Sequence, residues 1–498
     1  MKLIFKFVLL PWFALVAAAS AQAQTNNGPQ VFLVQNSGWM EPFYSDPASP
    51  YKPLIEALVM AAAEPGDPIV LASFNQSLPL APSPKALLST RVGAATGASV
   101  KAALADLAPA RKPGSDALAD TDLGEALGAA IDTALGGKPG LVWLITNNRN
   151  SPNNDQATAR RNREFYERIH QGPAISKALA FPLKMPVKSA RYSANGLMVY
   201  VFAVGAQGAR QLDALLATGR IASVITERPA RLKPLDVDTV RLVPRRVDST
   251  EGVAFSLSAG GVLRADIDDA LAPTAKIAWN LENNMYPYTI VSAHLVASSI
   301  LADQERPIVL ARDHVENLTP GKSEPLGSVM QLPGNDLPSK WSMQAVKAAG
   351  SAFVLPGQIE LQLTEQKLAL SQGFRARMAA LFPGDPLPDI FTPPAQIKAS
   401  RALLPLEVRV HYGMAPLLSL IAAGLLAVAA LGAVALAYGR PRRTLVTVDG
   451  EARTMRTRAG LTQPIFNKAG AKVGQLKTSL FGHRLLDLAD GADIRLGR

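Results

Sequence analysis

Residues 31–40 read VFLVQNSGWM, an apolar strand that runs straight into a polar turn and leaves Gln35, Ser37 and Trp39 at its end. Gln and Ser side chains offer neutral atoms that donate and accept hydrogen bonds. They do not offer the anionic oxygen that a hard cation such as Mg²⁺ needs to repay its lost water. Trp39, with Phe43 and Tyr44 in the next loop, adds aromatic surface. Such a group either anchors a protein partner or packs against neighbouring loops. Other reactive constellations do not occur in the sequence. The histidines (His170, His294, His314, His411, His483) form no HExxH pair, and there is no GxSxG elbow or GxxxxGK[ST] phosphate loop. With no cysteine, there is no thiol nucleophile, zinc–thiolate site or disulfide. The chain is therefore expected to bind rather than to catalyse.

The elements that must position this turn alternate between strand and helix. Tyr51–Glu64 has helical apolar spacing, Ile69–Phe74 reads as a strand, and Val100–Leu107 and Leu123–Leu135 are helical by period. Gly140–Thr146 is a continuous apolar run, as in a central parallel strand. A helix around Ala157–His170, strands Ile175–Phe181 and Leu197–Val204, and a helix Ala209–Ala217 follow. Residues 77–95, rich in Pro and Ser, read as irregular. The alternation implies an α/β fold with a doubly wound sheet, which binds its partners at the carboxyl ends of the strands.

The opening strand resembles that of a von Willebrand factor A domain, where an apolar strand ends in the metal-binding signature DxSxS. Here Gln35 stands in place of the Asp, Ser37 matches the first Ser, and Trp39 stands in place of the second. Residues 121–127, TDLGEAL, resemble the family's T-D/N-x-G-x-A-L, with Thr121 at the ligand position. Residues 144–148, LITNN, resemble L-x-T-D-G, with Asn147 for the Asp and Asn148 for the Gly. The resemblance covers roughly residues 30–218. It implies a vWA-like (Rossmann-type) sheet with a degenerate metal site. Ser37 and Thr121 keep the hydroxyls, while both expected carboxylates have become amides. Asp116, Asp120 and Asp122 are the acids near Thr121 that could rescue a Mg²⁺ site. The implied expectation is no cofactor, with the hydroxyls serving the loop and the helix cap.

Residues 1–23 read as a signal peptide, with Lys2 and Lys6 before an apolar run and Ala21 and Ala23 at an A-x-A site. Residues 24–225 form the vWA-like domain and 226–250 a linker. Short alternating runs over 251–370 imply a β-sandwich. Residues 371–414 read as a Pro-rich connector, with a short helix near Gly373–Phe382. Residues 415–438 carry no charge; a helix of that length spans about 36 Å, enough for a hydrocarbon core of about 30 Å. Residues 439–498 read as a small basic β-rich domain, with TLVTVDGEA as a hairpin turning at Asp-Gly.

The net charge is +11. From residue 440 onward twelve Lys/Arg stand against five Asp/Glu, which favours anionic lipid beside a membrane. No nucleic-acid-binding motif accompanies the charge. The leader and the Arg440–Arg443 flank imply a single-pass protein of the bacterial inner membrane, with a periplasmic N-terminal part and a cytoplasmic tail. The expected function is protein binding or scaffolding through Trp39, Phe43 and Tyr44. A metal-dependent adhesin and a receptor-like transducer signalling through the tail are the alternatives.

Overall fold

The computed structural model describes residues 27–150, 156–248, 252–268, 274–333, 337–384 and 388–497. The expected signal peptide and residues 151–155 of the RNSPNNDQ stretch lie outside the described residues.

The first unit is a mixed sheet of β1 (Gln30–Gln35), β2 (Pro68–Phe74), β3 (Lys85–Arg91), β4 (Gly140–Thr146), β5 (Ile175–Lys188), β6 (Ser193–Val204) and β7 (Ala230–Lys233). Their spatial order is β3-β2-β1-β4-β6-β5-β7. Its helices are α1 (Glu41–Ser45), α2 (Tyr51–Ala62), α3 (Thr96–Ala105), α4 (Leu123–Ala129), α5 (Gln156–His170) and α6 (Gly205–Ala217). Side chains of β1 alternate between two cores. Phe32 and Val34 join Ile55 of α2, Val100 of α3 and Leu212 of α6. Val31 and Leu33 join Leu127 of α4 and Phe165 of α5. With both faces covered, every residue of β1 is buried, which is why the strand reads as an unbroken apolar run.

Only the centre of this sheet is parallel: β1 pairs in parallel with β2 and with β4. The expected α/β alternation holds through β4, and it changes at the β5–β6 step. The two strands are joined by residues 189–192, too short for a crossover, so they form a hairpin. β6 consequently runs antiparallel beside β4. The stretch expected as irregular contains β3, an edge strand antiparallel to β2 and mostly open to solvent. Only Leu87 and Leu88 of this edge strand pack partly on the core, and as sequence neighbours they give no alternating burial period.

The second unit has β8 (Val240–Asp248), β9 (Val253–Leu257), β10 (Leu263–Asp268), β11 (Thr274–Asn283), β12 (Tyr288–Leu301), β13 (Gln304–Leu310), β14 (His314–Leu318), β15 (Ser323–Gln331), β16 (Phe353–Leu370) and β17 (Ser400–His411). β13 bonds to β12 through one half and to β15 through the other. Both halves thereby enclose one apolar core, which includes Trp279, Tyr288, Leu361 and Val408. The Trp279 indole N–H donates to Ser328 Oγ at 2.7 Å.

The segments expected as a linker and a connector are built into these units, and the short helix expected near Gly373–Phe382 is present. The stretch expected as a linker, 226–250, gives β7 to the first sheet and β8 to the second. The stretch expected as a connector, 371–414, contains α8 (Gln372–Leu381) and β17, after a short α7 (Met343–Lys347). Phe374, Met378 and Leu381 of α8 recur at helical spacing and pack into the first unit's core with Tyr200 and Phe391. In β17, Ala402, Leu404, Leu406, Val408 and Val410 point inward and alternate with exposed or half-buried residues. That period of two marks an ordinary half-buried strand, hidden by its position beside the apolar helix.

α5 is clasped by the same returning segment: His170 Nε2 lies 3.1 Å from Ile390 O. Burial, chiefly, and nearby Lys233 pull the His170 imidazole below its ordinary 6.5, against the opposing effect of the Ile390 carbonyl. The folded state thus binds its proton less readily than the unfolded state. Stability is full above the ordinary value and is lost as pH falls toward the depressed one. Acidifying from pH 7 to 5 is expected to lower the melting temperature, and His170→Gln to flatten that dependence. Equal pH slopes in both proteins would count against the assignment.

Among the described residues one helix, α9 (Ala415–Gly439), is long and apolar enough to cross a membrane, and its apolar window is 0% buried within the protein. After it come β18 (Arg442–Val448), β19 (Glu451–Thr457), β20 (Thr462–Phe466), β21 (Lys472–Ser479), β22 (Gly482–Leu486) and β23 (Ile494–Leu496). They form two three-stranded sheets, β19-β18-β23 and β20-β21-β22, around Val446, Val448, Ile465, Val473 and Leu476. Asp449 and Gly450 both have positive φ, 50° and 82°, as a two-residue hairpin turn requires.

Candidate functional site

β1 ends between β2 and β4 with the Gln35 side chain wholly inside the protein. Its carboxamide makes four hydrogen bonds. Nε2 donates to Ser37 Oγ at 2.7 Å and to Thr121 Oγ1 at 3.0 Å. Oε1 accepts from Thr146 Oγ1 at 2.5 Å and from the Asn147 backbone N–H at 3.1 Å. The backbone N–H can only donate, so the atom facing it must be oxygen. The NH₂ must therefore face the two hydroxyls. Thr121 Oγ1 donates onward to Ser37 Oγ at 2.7 Å. Ser37 and Thr121 are 0% exposed.

The neighbouring residues hold this amide in place. Tyr44 and Tyr51 donate their hydroxyls to the Gln35 carbonyl at 2.8 and 3.0 Å. Burial pushes both phenols up, so both remain protonated donors at neutral pH. Asn148 sits at φ 67°, a left-handed conformation that Asn tolerates better than most residues. Its N–H donates to Thr146 Oγ1 at 2.9 Å, and its Oδ1 accepts from Tyr200 at 2.5 Å. The Asn147 side chain turns away from the hydroxyls: Nδ2 donates to Trp39 O at 2.8 Å, and Oδ1 accepts from Arg149 N at 3.2 Å.

These residues do not fit a divalent cation. The two hydroxyls already accept from a buried NH₂, and no carboxylate reaches them. The three nearby acids are engaged elsewhere: Asp116 pairs with Arg111, Asp120 with Lys112 and Asp122 with Arg161. Asp122 also caps α4 by accepting from Glu125 N at 2.9 Å. Among the described residues no group of three or more His, Asp or Glu side chains is placed to hold a metal. Thr121 and Ser37 are brought together by the fold, as parts of a hydrogen-bonded plug.

The aromatic residues separate. Phe43 is 1% exposed and packs on Tyr51 with ring centroids 5.5 Å apart. It is a core ring and offers no surface to a partner. The Tyr44 hydroxyl is spent on the Gln35 carbonyl, and its half-buried ring stands edge-on to Tyr51. Trp39 alone of the three lies at a cleft. Its ring lies 4.8 Å from that of Tyr192, and the Arg149 guanidinium lies 4.3 Å from its centroid. The cleft, about 60 Å³, is lined by Trp39, Asn147, Arg149, Tyr192, Asn195 and Phe382. Trp39 Nε1 is buried there without a hydrogen-bond partner, and Arg149 has no ion-pair partner among the described residues.

Arg149 and Tyr192 were not legible as site residues in the sequence. Arg149 directly follows the recognisable LITNN, which is a usable signal. Tyr192 arrives through the β5–β6 hairpin, and Phe382 through the returning α8 segment. No family model matches the chain, and no curated protein matches it.

Proposed function

We propose that the chain is a membrane-anchored binding or scaffold protein whose first unit, vWA-like in design, recognises a protein without a bound metal. One observation carries this reading: the Gln35 amide nitrogen bonds both hydroxyls that the resemblance assigns to a metal. Three loops above it meanwhile present Trp39, Arg149 and Tyr192, which the core does not use. Aromatic and Arg side chains at a cleft are the usual carriers of binding energy at protein interfaces. The anchor is α9, beside which Trp341 and Met343 stand 66% and 61% exposed. Exposed aromatics near a span suit the membrane–water boundary. The leader and the arginines after α9 support a bacterial inner-membrane protein with its large units in the periplasm. We assign the chain no catalytic step.

Trp39 lies outside the apolar cores, so its loss should affect binding more than folding. A photo-crosslinking residue at Tyr192 in intact cells identifies the partner. Trp39→Ala is then expected to weaken binding of that purified partner by about 2 kcal/mol or more, roughly thirtyfold. The melting temperature should change by no more than a few degrees. Undiminished binding overturns the assignment of this cleft, and a collapse in stability shows Trp39 to be a packing residue.

A further inference from the structure

α9 ends at Gly439 and β18 begins at Arg442, so the tail folds directly beside the helix. Two β18 side chains tie the β21–β22 turn to this point. Arg442 Nη1 donates to Leu480 O at 2.9 Å, and Thr444 Oγ1 lies 2.6 Å from His483 Nε2. That turn carries Phe481, which is 99% exposed. Leu461, 49% exposed, shares the rim, because Gly460 N bonds Thr478 O and Thr478 N bonds Leu461 O. Exposed Arg440, Arg443 and Arg458 border the same rim, and none has an ion-pair partner among the described residues.

The carboxylates of the tail lie at the other end. Asp449 and Glu451 flank the β18–β19 turn, and Asp449 N bonds Asp493 O. Asp487 and Asp490 follow β22, where Ala489 N bonds Val473 O at the start of β21. Cations at that end are largely paired: Arg453 and Lys468 with Glu451, and Arg495 with Asp493. The charge of the domain is thus polarised, with unpaired arginines on the rim nearest α9; Phe466 and Leu488 at the far end are half-exposed like Leu461, and only Phe481, on the rim, is bare.

We propose that this rim docks on the membrane surface that α9 enters. Phe481 and Leu461 sink into the boundary between headgroups and acyl chains, and Arg440, Arg443 and Arg458 face anionic phosphate headgroups. The proposal rests on reading α9 as a membrane span. It goes beyond a general attraction of a basic tail to lipid, because it gives the domain one docked orientation.

The chain has no cysteine, so a single nitroxide label can be attached without background. Phe481→Cys, Ala469→Cys in the β20–β21 turn, and Leu426→Cys in α9 are each labelled in the full chain. The chains are placed in nanodiscs containing phosphatidylglycerol. Collisions with oxygen report lipid, and collisions with a water-soluble nickel chelate report solvent. Positions 426 and 481 are expected to favour oxygen, and position 469 nickel. In nanodiscs of phosphatidylcholine alone, position 481 should shift toward the solvent value. Solvent exposure at 481 equal to that at 469, with 426 in lipid, overturns the docking and leaves the span intact. Solvent exposure at 426 overturns the span, and the docking with it. Equal immersion of 481 in both lipids overturns the role given to the arginines.

Discussion

Gln35→Ala is expected to lower the stability of the first unit by about 3–5 kcal/mol. The substitution removes four hydrogen bonds at a wholly buried position. The Asn147 N–H and the hydroxyls of Ser37, Thr121 and Thr146 then lose a partner where water does not reach. Each buried polar group left unpaired costs about 1–3 kcal/mol. Rotation of the hydroxyls recovers some of this, but the fixed Asn147 N–H cannot turn. For a unit of this size about 1 kcal/mol corresponds to roughly 2–4 °C, so the melting transition of this unit should fall by roughly 10 °C. Gln35→Met, which keeps the length of the side chain and none of its hydrogen bonds, should lose most of the same stability. A loss below about 1 kcal/mol in both variants would mean that the amide is not what closes this site.

The second large effect concerns charge. In the unaltered protein millimolar Mg²⁺ or Mn²⁺ should leave the melting temperature unchanged, since the cation would have to displace a buried, fully bonded amide. Gln35→Asp combined with Asn147→Asp removes the NH₂ and brings two carboxylates to the hydroxyl pair. Without metal this double variant should be severely destabilised, because like charges are buried together and Trp39 O loses its Asn147 donor. With metal the variant should regain stability, by about 2.7 kcal/mol when the ion is at about a hundred times its dissociation constant. Thr121→Ala in that background should abolish the gain. Stabilisation of the unaltered protein by Mg²⁺, lost in Thr121→Ala, would falsify the plug and restore the metal-dependent adhesin reading.

The sequence alone determined the elements with a strong local signal. β1 and β4 are apolar on both faces because both faces are covered, and a continuous run of that kind is visible without coordinates. α9 is visible because few soluble helices are apolar all round over so many consecutive residues. The Asp449–Gly450 turn is visible because few residue pairs accept two positive φ values. The exchange of acids for amides at Gln35 and Asn147 is also a property of the sequence, and it alone argues against a hard cation.

The tertiary structure decided what those amides do instead. That the Gln35 NH₂ points at Ser37 and Thr121 follows from the Asn147 N–H on its other side, a contact made across 112 residues of chain. Phe43 and Trp39 are similar residues four positions apart, and only the packing of α1 and α2 places one in the core and the other at a cleft. Direction in the sheet was likewise not local: β6 has the composition of a parallel strand, and the short β5–β6 connection reverses it. The return of α8 onto the first unit and the insertion of β17 beside β16 each depend on a partner surface formed far away in the sequence. Burial on such a surface stabilises a segment whose own propensity and turn signals read as a connector, because packing outweighs the few tenths of a kcal/mol per residue that separate ordinary helix propensities.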